Sequence, residues 1–313
     1  MRRCLLAVAA ATAMLAAPSA LRAQDLTPRA YLITPLRSNA INLSYIFNDG
    51  ELLFEGTVPI TDATGRLSVP ALSLYHSLSL FGRSANVTAT LPYGVGNFEG
   101  TAFGAETSVY RSGLLDAVFR FSVNLTGAPA MELSEIRKWQ QKHLLGASLK
   151  IVAPTGQYDP TKLINLGSNR WAFKPEIGYS GRFGHWILDA YASVWFFTRN
   201  PEFFSRNQYV PGTQDQTQDP IGAFETHLSY DFKPRLWVSL DGNFWYGGRT
   251  SLSGVENPAT LQKSSRIGVT ASFPLFRHQS LKLGYAQGAY VRFGGDYKIA
   301  SVAWQYSWVG QPK

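Results

Sequence analysis

An alternation with a period of two residues constrains this chain more than any other feature. Between residues 40 and 308, about twelve segments carry apolar side chains at every second position and polar ones between them. They fall near 40–48, 70–81, 84–92, 115–125, 143–153, 170–181, 185–197, 220–232, 235–247, 264–273, 279–293 and 297–308. Successive side chains of a strand point to opposite faces, so each segment has one apolar face and one polar face. In the seventh, Trp186, Leu188, Ala190, Ala192, Val194 and Phe196 oppose Asp189, Tyr191 and Ser193. In the ninth, Leu236, Val238, Leu240, Phe244 and Tyr246 oppose Ser239, Asp241 and Asn243.

Composition narrows the reading. Charged residues make up 16% of the 313 positions, against roughly 25% in soluble domains. Aromatic residues reach 13%, which excludes a disordered chain. Mean hydropathy is −0.09, and only one apolar run is long enough to consider, so a helical membrane protein is excluded too. A soluble sandwich also alternates. Here, however, aromatics cluster near both ends of the apolar faces and charges sit almost only on the opposite face. The strands also follow one another without the spacing of small Greek-key domains. The expected fold is all-β: a transmembrane, antiparallel, up-and-down barrel of about twelve strands with one short helix near 131–140.

The N-terminus reads as an export signal. Arg2 and Arg3 precede an Ala/Leu-rich run from Leu5 to Ala17, broken by Pro18 and Ser19. The run is too short to span a bilayer. Cleavage is expected after Ala23, with Ala20 as a fallback, and an uncleaved anchor is the alternative. Residues 24–313 then form a single outer-membrane barrel domain. The only cysteine, Cys4, leaves with the signal, so disulfides and cysteine metal sites are excluded. Loss of Arg2, Arg3 and Arg22 lowers the formal charge of +8 by three. No run of five basic residues supports nucleic-acid binding.

An even strand count puts both termini in the periplasm, and long outer loops should alternate with short turns. Long connections are expected at 49–68, 93–114, 154–169, 198–219 and 248–263, and short ones at 82–83, 182–184, 233–234 and 274–278. The connection 126–142 is long on the periplasmic side. Its residues 131–139 read as an amphipathic helix, either solvated or packed on the barrel mouth. Trp304, Tyr306 and Trp308 end the last strand and resemble a signal for the barrel-assembly machinery.

Few residues suggest chemistry. None of the five histidines pairs at metal-ligand spacing and no phosphate-binding glycine loop is present, so no metal or cofactor is expected. His227 and Ser229 share the polar face of one strand, with Asp231 as the one apparent orienting group. A lipid-cleaving pair must face the bilayer, and these face inward. Lumen or constriction candidates are Lys174, Glu176, Arg120, Asp189, Glu225, His227, Asp241, Arg266, Lys282 and Arg292. Asp116, Lys150 and Asp231 share that face. Mixed signs on neighbouring strands predict a packed or constricted lumen. Tyr158, Asp159, Asn169 and Arg170 are candidates on loop 154–169, which Pro154, Gly156 and Pro160 stiffen. This loop and the Lys174–Glu176 pair beneath it are expected to control passage; a purely stabilising loop is the alternative.

Several motifs carry a family resemblance. They are Ala153-Pro154-Thr155-Gly156-Gln157-Tyr158-Asp159-Pro160, then Ile164-Asn165-Leu166-Gly167-Ser168-Asn169-Arg170-Trp171-Ala172-Phe173-Lys174-Pro175-Glu176, with Gly127-Ala128-Pro129-Ala130, Leu91-Pro92-Tyr93-Gly94 and Gln218-Asp219-Pro220. Together they resemble the meta-pathway of phenol degradation family of outer-membrane proteins, over about residues 30–308. The resemblance implies an outer-membrane barrel associated with catabolism of aromatic compounds, and no agreed catalytic residues. The expected function is a transporter or channel for small, hydrophobic or aromatic solutes, with outer-membrane lipid around it. Inward Tyr191, Trp195, Trp237 and Trp245, and loop residues Phe203, Phe204 and Tyr209, are candidates to meet the solute. The alternatives are a lipid hydrolase-like enzyme using His227 and Ser229, and a closed structural barrel.

Overall fold

The computed structural model describes residues 26–53, 60–102, 105–162, 164–205 and 212–311. The expected export segment, its cleavage site and Tyr209 lie outside the described residues. The elements are β1 (Ser38–Leu53), β2 (Ile60–Leu80), β3 (Arg83–Ala102), β4 (Ala105–Leu114), β5 (Ala117–Thr126), α1 (Leu133–Ile136), β6 (His143–Ala153), β7 (Ala172–Phe183), β8 (Trp186–Phe197), β9 (Asn200–Ser205), β10 (Gly212–Gln218), β11 (Ile221–Lys233), β12 (Leu236–Gly247), β13 (Thr250–Leu252), β14 (Val255–Asn257), β15 (Gln262–Phe276), β16 (Gln279–Val291) and β17 (Gly294–Val309).

Twelve of these strands form a closed antiparallel wall: β1, β2, β3, β5, β6, β7, β8, β11, β12, β15, β16 and β17. The last strand pairs with the first along its whole length, from Ser38 opposite Val309 to Leu53 opposite Gly294. Closure leaves no unpaired edge in lipid, which a membrane-spanning sheet requires. Alternation sets the faces as expected. On β8, Trp186, Leu188, Val194 and Phe196 are exposed on the outside. Ile187, Asp189, Tyr191, Ser193 and Trp195 are buried inside.

A thirteenth strand extends the wall. β4 and β5 both run against β3, with Thr90 opposite Val118 and Tyr93 opposite Leu114. They are one path interrupted at Leu115 and Asp116. The stretch 93–114, expected as a loop, is therefore mostly strand. So are the flanks of 49–68, where β1 and β2 stay paired as far as Glu51 and Thr64. The 21 residues of β2, at roughly 3.4 Å each, far exceed an apolar band about 25 Å tall. Beyond the bilayer the hydrogen-bonded ladder continues while the outer face no longer needs apolar side chains, so the alternation fades there. The expected loops 198–219 and 248–263 contain β9, β10, β13 and β14, which pair as a second, four-stranded sheet.

Two expectations need correction. The helix is one turn, Leu133–Ile136, capped reciprocally by Glu132 and Glu135, and much shorter than 131–140. It contributes no buried residue, yet Ile136 and Trp139 pack on a cluster of Ile33, Ala128, Met131 and Leu144. Its apolar side thus closes on the periplasmic mouth. Arg292 does not face the lumen. β16 ends at Val291 and Arg292 is exposed in the turn that follows. Ser265 pairs with Tyr290 but Arg266 with Gly288, so β16 carries one extra residue there. A bulge inverts the alternation beyond it.

Candidate functional site

The site is the barrel interior, which the chain fills from both ends. Residues 26–37 enter from the periplasmic side. Tyr31 is 1% exposed. Its ring lies over Gly146 and Gly178, where added Cβ atoms would fall 2.2 and 2.0 Å from ring carbons. Both glycines face inward at one level, leaving room for the ring. The Tyr31 hydroxyl donates to Glu176 Oε1 at 2.9 Å and lies 3.2 Å from Ser148 Oγ. Arg29 pairs with Asp231 at 2.7 Å and stacks 4.3 Å from the Trp237 ring centre. Its amide donates to Asp189 Oδ2, and the Ala30 amide to the Tyr191 hydroxyl, each at 3.0 Å. Asn124 donates to the Tyr31 carbonyl, and the Leu36 amide to the Met131 carbonyl. Arg37 pairs with Glu132.

Above this segment lies an ionic layer. Lys174 Nζ is 2.7 Å from Glu225 Oε1 and 3.0 Å from Glu176 Oε2. Arg120 reaches Glu176 at 3.7 Å. Directly across from Lys174 is Lys150, so its acidic partner Glu225 comes from β11, with β8 between them. Buried charges persist when paired and hydrogen-bonded, and this layer meets that requirement. His227 sits opposite Asp241 in register, and its Nδ1 lies 2.8 Å from Asp241 Oδ1. Ser239 and Thr270 donate to the same carboxylate, each at 2.6 Å. The group orienting His227 is therefore Asp241, not Asp231, which instead holds Arg29 and Arg182. Among the described residues Ser229 Oγ and His227 Nε2 have no hydrogen-bond partner, so the two side chains do not form a nucleophile–base pair.

Towards the outside, loop 154–169 folds over the break between β4 and β5. Asp116 Oδ1 accepts from the Gly156 amide at 3.0 Å; Oδ2 accepts from the Ser168 amide at 3.1 Å and its hydroxyl at 2.6 Å. Gly156 and Gly167 approach so closely that a Cβ on Gly156 would lie 2.7 Å from the Gly167 Cα. Asn169 donates to Asn200, and Asn200 to the Tyr158 hydroxyl, each at 2.9 Å. The Lys162 ammonium, followed by the Thr161 hydroxyl and amide, lowers the Asp159 pKa to about 2. Arg170 is buried, donates to Gln218 and stacks on Phe197.

Among the described residues, cavities of about 650 and 980 Å³ open within the barrel. Arg120, Lys150, Asn42, Ser73 and Thr88 line both, so the cavities meet at that level. Phe98, Leu115, Val118, Leu166 and Trp195 give the outer one an apolar side. Beside it, Trp195 and Trp245 pack in a layer with Val152, Ala172, Ile221 and Ala223. Arg266, 1% exposed, faces inward, and among the described residues its guanidinium has no hydrogen-bond partner. Lys282 is half-buried, 5.8 Å from the Trp237 ring centre. The inward candidates other than Arg292 thus face one interior, and Tyr191, Trp195, Trp237 and Trp245 are buried with them. The sequence reading missed Arg29 and Tyr31 altogether and gave Asp116 no role in the loop. Two inward glycines at one level, Gly146 and Gly178, were the available sign of a ring above them.

A closed twelve-stranded wall with an apolar belt and a polar, partly filled interior defines a β-barrel of the membrane-spanning kind. Residues 44–297 match the family described as the MetA-pathway of phenol degradation, and the chain belongs to it. Among solved structures it is similar to the COG4313 outer membrane channel from Pseudomonas putida F1, with a TM-score of 0.76 and 18% identity over 91% of this chain and 100% of that one. The β domain of the Bordetella autotransporter BrkA is more distant, with a TM-score of 0.51 and 12% identity over 87% of this chain and 100% of that one. At these identities the likeness is one of fold. No match was found among curated proteins.

Proposed function

We propose that this protein is an outer-membrane channel for small hydrophobic or aromatic solutes, linked to the catabolism of aromatic compounds. The observation that carries this is the pair of cavities, of about 650 and 980 Å³, that meet inside the barrel. Each is large enough for a single aromatic ring, and ligand cavities span roughly 300–1,000 Å³. Inward Trp195 offers a ring face, and aromatic pairs favour offset or edge contacts. The family's association with phenol degradation supports the same reading.

In this reading the N-terminal segment and loop 154–169 narrow the path, and Lys174 and Glu176 line its narrowest level. Cleavage after Ala23 delivers residues 24–313 to the barrel-assembly machinery, with Trp304, Tyr306 and Trp308 in the final strand as its signal. Uptake of labelled phenol and of a labelled aliphatic alcohol, by cells with and without the protein, tests the function. Protein-dependent uptake of phenol supports the channel, whereas equal uptake in both strains favours a closed barrel. A hydrolase role predicts loss of lipid hydrolysis in Ser229→Ala; the channel reading predicts no change.

A further inference from the structure

Arg266 lies on the inner face of β15 with 1% of its surface exposed. Among the described residues, none of its three guanidinium nitrogens has a hydrogen-bond partner. A buried cation in that state is costly, because burial removes water and nothing replaces it. Arg29, Arg120 and Lys174, by contrast, each reach a carboxylate. Arg266 therefore presents a full set of donors for which the interior must find an acceptor.

The surroundings define what that acceptor is. In register, Arg266 faces Asn243 on β12 and Gly288 on β16. A Cβ added at Gly288 would meet the carboxylate of Asp296 from β17. This acid thus lies over the glycine beside Arg266, without a hydrogen bond to it. The Trp245 ring centre is 6.0 Å from the guanidinium carbon, and Trp245 Nε1 is a further buried donor with no partner among the described residues. Trp245 packs in one apolar layer with Trp195, Ile221 and Ala223, and Trp195 lines the outer cavity. Ala286, one inward position along β16 from Gly288, lines it too. The Arg266 niche therefore adjoins the outer cavity through both residues. Its donors require an oxygen acceptor. Asp296 already supplies a negative charge, so a second one is opposed there. A neutral hydroxyl suits the niche: its oxygen accepts from the guanidinium or the indole, and its proton goes to the carboxylate.

We propose that Arg266, with Trp245 and Asp296 beside it, is a hydroxyl-recognition subsite at the wall of the outer cavity. It selects aromatic rings bearing a neutral hydroxyl over plain hydrocarbons. This rests on the channel reading and assigns it a substrate class. The ring lies against the apolar layer of Trp195 and Trp245, and the hydroxyl completes the hydrogen bonds that the guanidinium lacks. A hydrocarbon of equal size meets the same apolar layer and leaves Arg266 unpartnered.

The test uses the full mature chain refolded in detergent. It is titrated calorimetrically at neutral pH with phenol, anisole and toluene, against matched empty micelles. The three rings offer, in turn, a hydroxyl that donates and accepts, an ether that only accepts, and neither. Phenol is expected to bind about tenfold tighter than toluene or more, with anisole between them. Arg266→Met keeps the length of the side chain without its donors. It should bring phenol to the affinity of toluene and leave toluene unchanged. Trp245→Phe, which keeps a ring but removes the N–H, should reduce the preference for phenol. Heat-modifiable migration verifies that each variant has assembled. Equal affinities for phenol and toluene in the wild type, or no measurable binding of phenol, would overturn the proposal. So would an unaltered preference in assembled Arg266→Met, or an equal loss of both ligands, which marks a structural role. If cells still show protein-dependent phenol uptake in those cases, the channel reading stands and only the subsite falls. If phenol uptake is also independent of the protein, both fall.

Discussion

Two segments occupy the barrel from opposite ends, and they are held there by different means. The N-terminal segment, in the periplasmic half, is held by charge and by shape. Arg29 meets Asp231, and the Tyr31 ring occupies the space left by Gly146 and Gly178. Loop 154–169, in the outer half, is held by one carboxylate that accepts backbone amides, together with two glycines in contact. The first closure involves β6, β7, β8 and β11 at once, whereas the second is concentrated at a single strand break. The N-terminal segment should therefore resist local loosening more strongly, and its loss should open the lumen further.

The sharpest way to break that difference is Gly178→Val. The new side chain would collide with the Tyr31 ring, already 2.0 Å from the Cβ position. The ring cannot yield cheaply within a packed interior. Assembly should persist, while single-channel conductance rises more than for any loop variant. Unchanged conductance would mean that the segment does not obstruct the path.

Next in size is Lys174→Ala, which strips the shared cation from two buried carboxylates, Glu176 and Glu225. Leaving buried charges unpaired costs about 3–5 kcal/mol when they are fully dry, and less in a wet lumen. The reversal potential should move towards cation selectivity, and thermal stability should fall. A selectivity equal to that of wild type would place the constriction elsewhere.

Asp116→Ala tests the loop alone. It leaves the Gly156 and Ser168 amides without their acceptor, at about 1–3 kcal/mol for each amide that stays dry, while the Ser168 hydroxyl keeps the Arg170 carbonyl. Protease nicking within 154–169 should increase, with a smaller rise in conductance than Gly178→Val gives. An equal or larger rise would reverse the ranking of the two closures.

Acid should act on the same loop, more weakly. The Asp159 pKa is lowered to about 2 from an ordinary 3.8. The ionised form therefore stabilises the loop above the ordinary value, and that contribution fades as pH falls from there through about 2. Nicking should be constant near neutrality and rise only in that acid window. The smallest effect is expected from Arg292→Ala, at an exposed turn, where stability should stay within about 0.5 kcal/mol. A clear change in selectivity there would return Arg292 to the path.

The two closures also differ in how far they could be read in advance. Pro154, Gly156, Pro160, Gly167 and Asn169 mark a structured loop, because turns demand such residues. Leu26 to Arg37 carries only Pro28 and Pro35, with no glycine or asparagine. Its residues are ordinary, and its partners Asp189, Tyr191 and Asp231 lie some 160 to 200 positions away in the chain. The inward direction of Lys174, Glu225, His227 and Asp241 followed from alternation alone. Their pairing did not, since it depends on the register between strands and on contacts that span β8. Arg292 failed for the opposite reason. Alternation was carried past Ala289, where one extra residue inverts it.

The sequence by itself determined the class of fold and the direction of most wall side chains. Lipid outside and water inside impose opposite demands on successive residues, and that demand is written locally, position by position. The tertiary structure alone decided which inward charges meet, that Asp241 rather than Asp231 orients His227, and that residues 26–37 lie inside the barrel. Those outcomes depend on closure. Only when β17 pairs with β1 do twelve polar faces surround one volume, and only then does a ring such as Tyr31 find two distant glycines side by side.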